Sequence, residues 1–104
     1  MHAMSYSRFG PAAEILEKIT IPTPTPQPGE VLVELAFSGV NPSDVKSRAG
    51  MAPGVMKPAF ERIVPHSDGA GTIVSVGEGV DPSRMGTRVW IWNGQWQRAF
   101  GTAA

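Results

Sequence analysis

The sequence predicts a mainly β domain: a small, partly open barrel of short strands with one short helix at about residues 42–49. Three observations predict this class. Glycine and proline supply 12 and 10 of the 104 residues, a content typical of short strands joined by many turns. Several segments alternate apolar and polar residues with the period of a strand. One segment, 41–50, carries both helix start and helix stop signals.

The chain opens with a predicted hairpin. Residues 2–8 and 13–19 each fit a strand, and the Gly10-Pro11 pair between them is a turn signal. In the segment 20–30, proline at every second position from 22 to 28 predicts an extended backbone without strand partners. That segment is either a stiff connector or a ligand for an aromatic-lined groove on another protein. We favour the connector, because proline-rich spacers are common.

The strongest strand signal covers residues 30–40. Val31, Val33, Leu35 and Phe37 fall on one face by the two-residue period of a strand. This face is therefore expected to pack toward the core.

Residues 41–50 predict the helix. Asn41 is a favourable N-cap, and Pro42 then occupies the first helical position, where a missing N–H costs nothing. Asp44 lies in the first turn, close to the positive end of the helix, and Gly50 is placed to end it.

The second half of the chain predicts a loop and two further strands. Residues 51–60 form the loop, whose methionines and Phe60 either line an apolar cavity or pack on the barrel; packing is favoured. Residues 69–80 predict a strand with glycines at both ends, and 81–92 a turn followed by a strand. In this last strand Val89 and Ile91 would share one face, with Trp90 and Trp92 on the other.

Composition narrows the possible functions. Nine basic residues balance nine acidic ones, so no net charge attracts nucleic acid or an anionic membrane. The chain has no cysteine, which excludes disulfides and thiolate metal sites. It shows no apolar run long enough to span a bilayer and no signal-peptide pattern at its start. We expect a cytoplasmic protein, and the small residues of "GTAA" at the end suggest a fragment.

The glycine-rich stretch 64–80 raises the question of a phosphate or metal site. A G-x-G-x-x-G loop is incomplete at both glycine pairs, and the β-branched residues after Gly71 predict a strand instead of the helix that a dinucleotide loop needs. The two histidines, His2 and His66, have no spacing that suggests a metal site. The glycines are therefore interpreted as structural, allowing a tight start and a sharp exit for the strand.

Six segments in order resemble one family. "YSRFGPAAEILE", "PTPQPGEVLVEL", "SGVNPSDVKSRAG", "PHSDGAGTIVSVGEGV", "GTRVW" and "GTAA" are similar to successive motifs of the GroES-like N-terminal domain of the medium-chain dehydrogenases/reductases. The resemblance is to the zinc-free quinone oxidoreductase branch. It implies that residues 1–104 are the N-terminal part of a catalytic domain and that the nucleotide-binding Rossmann domain lies outside this chain.

The resemblance also bears on zinc. Zinc-dependent members carry a cysteine ligand in a motif where this sequence has Asn41, and a histidine ligand where it has Ser67. The glutamate after that histidine corresponds to Asp68, and His66 stands in the place of a glycine. The resemblance therefore implies no metal site.

The same resemblance nominates the site residues. Asn41, Ser43 and Asp44 are the candidate catalytic residues; Asn41, Pro42 and Lys46 are the candidate cofactor-binding residues; Ser67, Asp68 and Trp92 are the candidates for the substrate cleft. Trp96 is a further candidate for lining a flat apolar slot. Lys46 stands where relatives often have a tyrosine that contacts the cofactor.

The implied activity is NADPH-dependent reduction of a quinone or enone without zinc, in a protein that forms a homo-oligomer when full length. The isolated chain is expected to bind NADPH poorly and to be inactive. Two alternatives from other classes remain open. One is a β-barrel binding or co-chaperonin-like module without catalysis; the other is a scaffold that presents the proline segment to a partner.

Overall fold

The computed structural model describes residues 1–104 and contains two antiparallel sheets. The elements in chain order are β1 His2–Ser5, α1 Ala12–Ile15, β2 Glu17–Thr20, β3 Val31–Gly39, α2 Pro42–Ala49, β4 Asp68–Val76, a 3-10 turn Pro82–Arg84 and β5 Arg88–Ile91. One sheet pairs β1 with β2, and the other has the order β3-β4-β5. The predicted mainly β class is confirmed, and the two sheets do not close into a barrel.

The opening hairpin forms, but with different limits from those expected. β1 ends at Ser5 and pairs with β2 from His2↔Thr20 to Ser5↔Glu17. The prediction of a continuous strand over 13–19 was wrong, because residues 12–15 form one helical turn after Pro11. Proline fixes a backbone angle compatible with the start of a helix, and this local preference outweighs the weak strand pattern.

The segment 21–30 is extended and belongs to neither sheet, as its prolines predict. Its end is attached to the turn after β4. Gly29 N–H donates to the Glu78 carbonyl at 2.8 Å, and Gly77 N–H donates to the Glu30 carbonyl at 2.7 Å. The side chain of Glu30 accepts from the Gln27 N–H at 2.9 Å and from Arg98. The other end is held as well, because Ile21 exchanges two backbone hydrogen bonds with Met1 at 2.8 and 2.9 Å.

β3 and β4 pair along their whole length with two irregularities. The register shifts between Leu32 and Val33, and again between Leu35 and Phe37. A bulge inserts a residue and reverses the alternation of side chains beyond it. The predicted common face of β3 was therefore wrong at its far end, where Phe37 is 75% exposed.

Two glycines of β4 allow the strands to approach closely. A Cβ on Gly71 would collide with the Glu34 carbonyl of β3, and one on Gly69 would lie 2.9 Å from the Phe37 carbonyl oxygen. These glycines lie inside β4, so they permit close backbone packing along the strand as well as a tight start. Gly79, with φ +84°, makes the turn after the strand.

The helix α2 has the predicted limits. It begins at Pro42, and Gly50 ends it in the left-handed conformation with φ 75°. In β5 the predicted alternation also holds, since Val89 and Ile91 are half-buried while Trp90 and Trp92 are 75% and 77% exposed. None of the helices is long and apolar enough to span a membrane.

The core is small. Tyr6, Ile15 and Ile63 form one buried cluster, and Ile73 is buried separately in β4. Ser5, fully buried in β1, has a hydroxyl without a hydrogen-bond partner. An unpaired buried hydroxyl carries a desolvation cost that folding does not recover.

Replacing Ser5 with alanine is expected to raise the free energy of unfolding by about 1 kcal/mol, because it removes the unpaired hydroxyl and leaves only a small void. Urea denaturation of the two proteins measures the difference. Ser7→Ala, at an exposed position two residues further along, serves as the control and should change little. A clear loss of stability in Ser5→Ala would mean that the hydroxyl is hydrogen-bonded in solution.

Candidate functional site

The start of α2 forms one side of the site. The Asn41 backbone N–H donates to Asp44 Oδ2 at 2.7 Å, so the first turn is closed by a carboxylate near the positive end of the helix. Asn41 is half-buried at the N-cap position, as predicted. The helix start therefore holds the Asn41 backbone firmly while its side chain remains available for other contacts.

The side chain of Asn41 joins α2 to β4. Its Nδ2 donates to Asp68 Oδ2 at 2.6 Å. Because an ionised carboxylate only accepts hydrogen bonds, the contact fixes which way the amide of Asn41 faces. One N–H of the amide is used by Asp68, and its oxygen faces the Asp44 backbone N–H in a capping box, which leaves the second N–H and one lone pair of the oxygen for further contacts. The pairing of Gly39 with Asp68 across β3 and β4 places the two side chains together.

Three further side chains continue from this pair as a series of hydrogen bonds. Thr102 Oγ1 donates to the Asp68 backbone carbonyl at 2.6 Å and lies 2.9 Å from Ser38 Oγ. Ser38 Oγ in turn lies 2.9 Å from His66 Nδ1. These residues come from β3, from the segment just before β4 and from the end of the chain, so the series links three separate segments.

The nominated residues are only partly brought together. Asn41, Asp44 and Asp68 form connected contacts, whereas Pro42, Ser43 and Lys46 lie exposed on α2. Trp92 is exposed and is not part of the wall of the cavity that lies beside Ser67. The roles proposed for all these residues remain predictions.

A cavity of about 360 Å³ lies beside Ser67. Four aromatic side chains, Tyr6, Phe9, Phe60 and Trp96, contribute to its wall. A volume of this size suits a small organic ligand, and aromatic walls suit a flat one. Sequence reasoning nominated Phe60 and Trp96 as possible lining residues but missed Tyr6 and Phe9. Their position in the opening hairpin gave no signal that the hairpin lies beside the loop 51–60.

Tyr6 has an altered electrostatic environment at this cavity. Burial raises the pKa of its hydroxyl above the ordinary value, and the negative charge of Asp44 raises it further. The positive charge of Arg48 acts in the opposite direction. Tyr6 therefore stays protonated at neutral pH and can donate a hydrogen bond into the cavity.

The structure also bears on metal binding. Nowhere in residues 1–104 do three His, Asp or Glu side chains come together in an arrangement that could hold a metal ion. At the two positions where the resemblance implies zinc ligands in zinc-dependent members, this chain has Asn41, engaged with Asp68, and Ser67. His66 directs Nδ1 to Ser38. These residues do not fit a zinc ion.

Comparison with known proteins finds relatives that are named as oxidoreductases. It is 37% identical over 89 residues to a chloroplast envelope quinone oxidoreductase homolog of Arabidopsis thaliana, an alignment that covers 86% of this chain and 27% of that protein. It is 34% identical over 93 residues to the quinone oxidoreductase of Rattus norvegicus, covering 89% of this chain and 27% of that protein. The chain thus spans roughly a quarter of the length of these relatives.

Solved structures show the same fold. A mycobacterial quinone oxidoreductase superposes with a TM-score of 0.73 at 31% identity, covering 90% of this chain and 29% of that one. A mycobacterial protein solved in complex with NADPH superposes with a TM-score of 0.75, also at 31% identity and with the same coverage. Residues 27–102 match the alcohol dehydrogenase GroES-like domain. The chain therefore belongs to the alcohol dehydrogenase GroES-like domain family, in the quinone oxidoreductase branch of the medium-chain dehydrogenases/reductases.

Proposed function

We propose that this chain is the N-terminal part of an NADPH-dependent reductase that transfers hydride to a quinone or an activated enone without zinc. The observation that carries the proposal is the Asn41–Asp68 contact at 2.6 Å, since the resemblance implies a zinc ligand at position 41 in zinc-dependent members. The names of the relatives and the NADPH complex of a structural neighbour support the substrate and cofactor classes. The assignment to a complete enzyme rests on relatives about three times as long as this chain.

Asn41 has the donor that the reaction needs. When a carbonyl of the substrate accepts hydride, negative charge develops on its oxygen, and a fixed hydrogen-bond donor stabilises that charge. The second N–H of the Asn41 amide is such a donor, because Asp68 fixes the amide plane and Asp44 fixes the backbone. The exposed hydroxyl of Ser43, two residues further along, is a second candidate donor.

NADPH would supply the hydride when bound, and three residues of this chain are suited to contact it. The carbonyl oxygen of Asn41 can accept from a carboxamide, and Pro42 gives the adjoining backbone a rigid start. Lys46 is exposed on α2 and takes part in neither of the two ion pairs in the structure, so its charge is available to an anionic group. The cavity beside Ser67 offers aromatic walls against which a flat substrate could pack.

A chimera tests the proposal. Residues 1–104 replace the matching segment of the rat quinone oxidoreductase, and oxidation of NADPH by a quinone is followed by absorbance. We expect the chimera to be active and the isolated chain to be inactive. Asn41→Ala should lower kcat/KM of the chimera about 100- to 1,000-fold, the usual cost of removing one such donor.

Thr25→Ala, on the exposed proline segment, is the control and should leave kcat/KM unchanged. A folded but inactive chimera would contradict the proposal and favour the alternative of a binding module without catalysis. An active chimera that loses its activity to chelators and regains it with zinc would contradict the zinc-free mechanism.

A further inference from the structure

His66 is one of three non-glycine residues with a positive φ. Its φ is +76°, in the left-handed region that favours glycine. The backbone is held there by the end of the chain, since Thr102 N–H donates to the His66 carbonyl at 2.9 Å. Because this conformation is costly for a residue with a Cβ, its presence here suggests that the side chain of His66 has a role.

The series of hydrogen bonds from His66 has a single possible direction. Thr102 has one hydroxyl proton and donates it to the Asp68 carbonyl. Ser38 must therefore donate its own proton to Thr102 Oγ1, since two oxygens without a proton between them repel each other. Ser38 Oγ then has only a lone pair for the imidazole, so His66 must donate from Nδ1.

This direction excludes one reading of the Ser38–His66 contact. A serine nucleophile gives its proton to the neighbouring histidine, whereas here the proton of Ser38 is directed to Thr102. The contact is therefore not a nucleophile–base pair. Its effect is to complete the hydrogen bonds of Ser38 and to hold Thr102 against Asp68.

We propose that His66 is a positioning residue, fixed as the Nδ1–H tautomer, which holds Asp68 and through it the Asn41 amide. The path runs from the imidazole through Ser38 and Thr102 to the Asp68 backbone, and from the Asp68 carboxylate to Asn41. The purpose of holding Asn41 rests on the proposed function. The tautomer of His66 and the fixed orientation of the Asn41 amide do not depend on the proposed function.

The tautomer is measured directly on the uniformly ¹⁵N-labelled chain. Long-range ¹H–¹⁵N correlation spectra above the pH at which histidines titrate distinguish a protonated Nδ1 from a protonated Nε2. We expect His66 as the Nδ1–H form, with the exposed His2 as the internal control in the Nε2–H form that free imidazole side chains prefer. A His66 protonated mainly at Nε2 would overturn the proposal.

Two substitutions test the positioning. His66→Gly suits the backbone but removes the donor; His66→Asn tolerates the same backbone and keeps an amide donor near the position of Nδ1. We expect the side-chain N–H groups of Asn41 to exchange with water about tenfold faster in His66→Gly and to return near the native rate in His66→Asn. Equal rates in all three proteins would refute the role.

Activity of the chimera gives an independent readout. His66→Gly should lower kcat about tenfold with little change in KM, because a less ordered donor weakens transition-state contacts more than ground-state binding, and His66→Asn should restore most of the loss. If the native chimera is inactive, the proposed function fails while the spectra still decide the role of His66. If it is active and neither variant alters kcat, positioning by His66 is excluded.

Discussion

Replacing Ile73 with alanine is expected to lower the free energy of unfolding by about 2–5 kcal/mol, the range found for large-to-small substitutions in protein cores. Ile73 is 1% exposed and lies in the central strand of the three-stranded sheet. Only nine of the 104 residues are buried, so few other side chains can compensate for the cavity. Urea denaturation followed by tryptophan fluorescence measures the loss.

The next residue of the same strand provides the matched control. Val74 is 44% exposed, and Val74→Ala should change the free energy of unfolding by less than about 0.5 kcal/mol. Both substitutions remove apolar groups from β4, so their difference isolates burial. Equal losses would mean that the face of β4 carrying Val74 is packed in solution and that the assigned core is wrong.

The second large effect is expected at the site. Asn41→Asp places a second carboxylate against Asp68, where the native amide donates at 2.6 Å. Aspartate and asparagine are equally good N-caps, so the helix start is preserved and the change acts on the contact with Asp68. Repulsion between two half-buried charges and the lost hydrogen bond should lower the free energy of unfolding by about 2–4 kcal/mol at pH 7.

This loss should depend on pH. The repulsion disfavours ionisation of the new pair in the folded state and raises its pKa relative to the unfolded chain. Below the unfolded carboxyl pKa of about 4 the variant therefore suffers no loss from this repulsion. The loss appears as pH rises through the raised pKa of the folded state. Denaturation curves at several pH values should show the deficit shrinking toward acid.

A second substitution tests the geometry. Adding Asp68→Asn to Asn41→Asp restores one donor and one acceptor with exchanged roles, and most of the lost stability should return. The single variant Asp68→Asn is the matched control. It places an amide on both sides of the contact, so its stability shows how much of the effect comes from removing the charge of Asp68 alone. If the double variant is no more stable than Asn41→Asp alone, the two side chains do not contact each other in solution.

The sequence predicted correctly those elements that depend only on neighbouring residues. Asn41, Pro42, Asp44 and Gly50 mark the ends of α2, and the structure confirms them because capping and backbone preference act within a few residues. The prolines of 21–30 act in the same way. The alternation in β5, which separates Val89 from Trp90, is also a property of the strand itself.

The elements that were wrong depend on distant residues. Phe37 is exposed because β3 bulges against β4, a partner more than thirty residues away, and one strand alone carries no sign of the bulge. The close approach of Gly71 to the Glu34 carbonyl has the same origin. In both cases pairing between strands overrides the pattern within one strand.

The sequence by itself determined the mainly β class and the limits of α2, and its motifs indicated the family and nominated Asn41 and Asp68. Only the tertiary structure decided that these two residues bond to each other, that His66 completes a series through Ser38 and Thr102, and that Tyr6 faces a cavity. The partners in these contacts lie from 27 to 64 residues apart. Their meeting follows from sheet pairing and from the return of the chain end, which no local preference encodes.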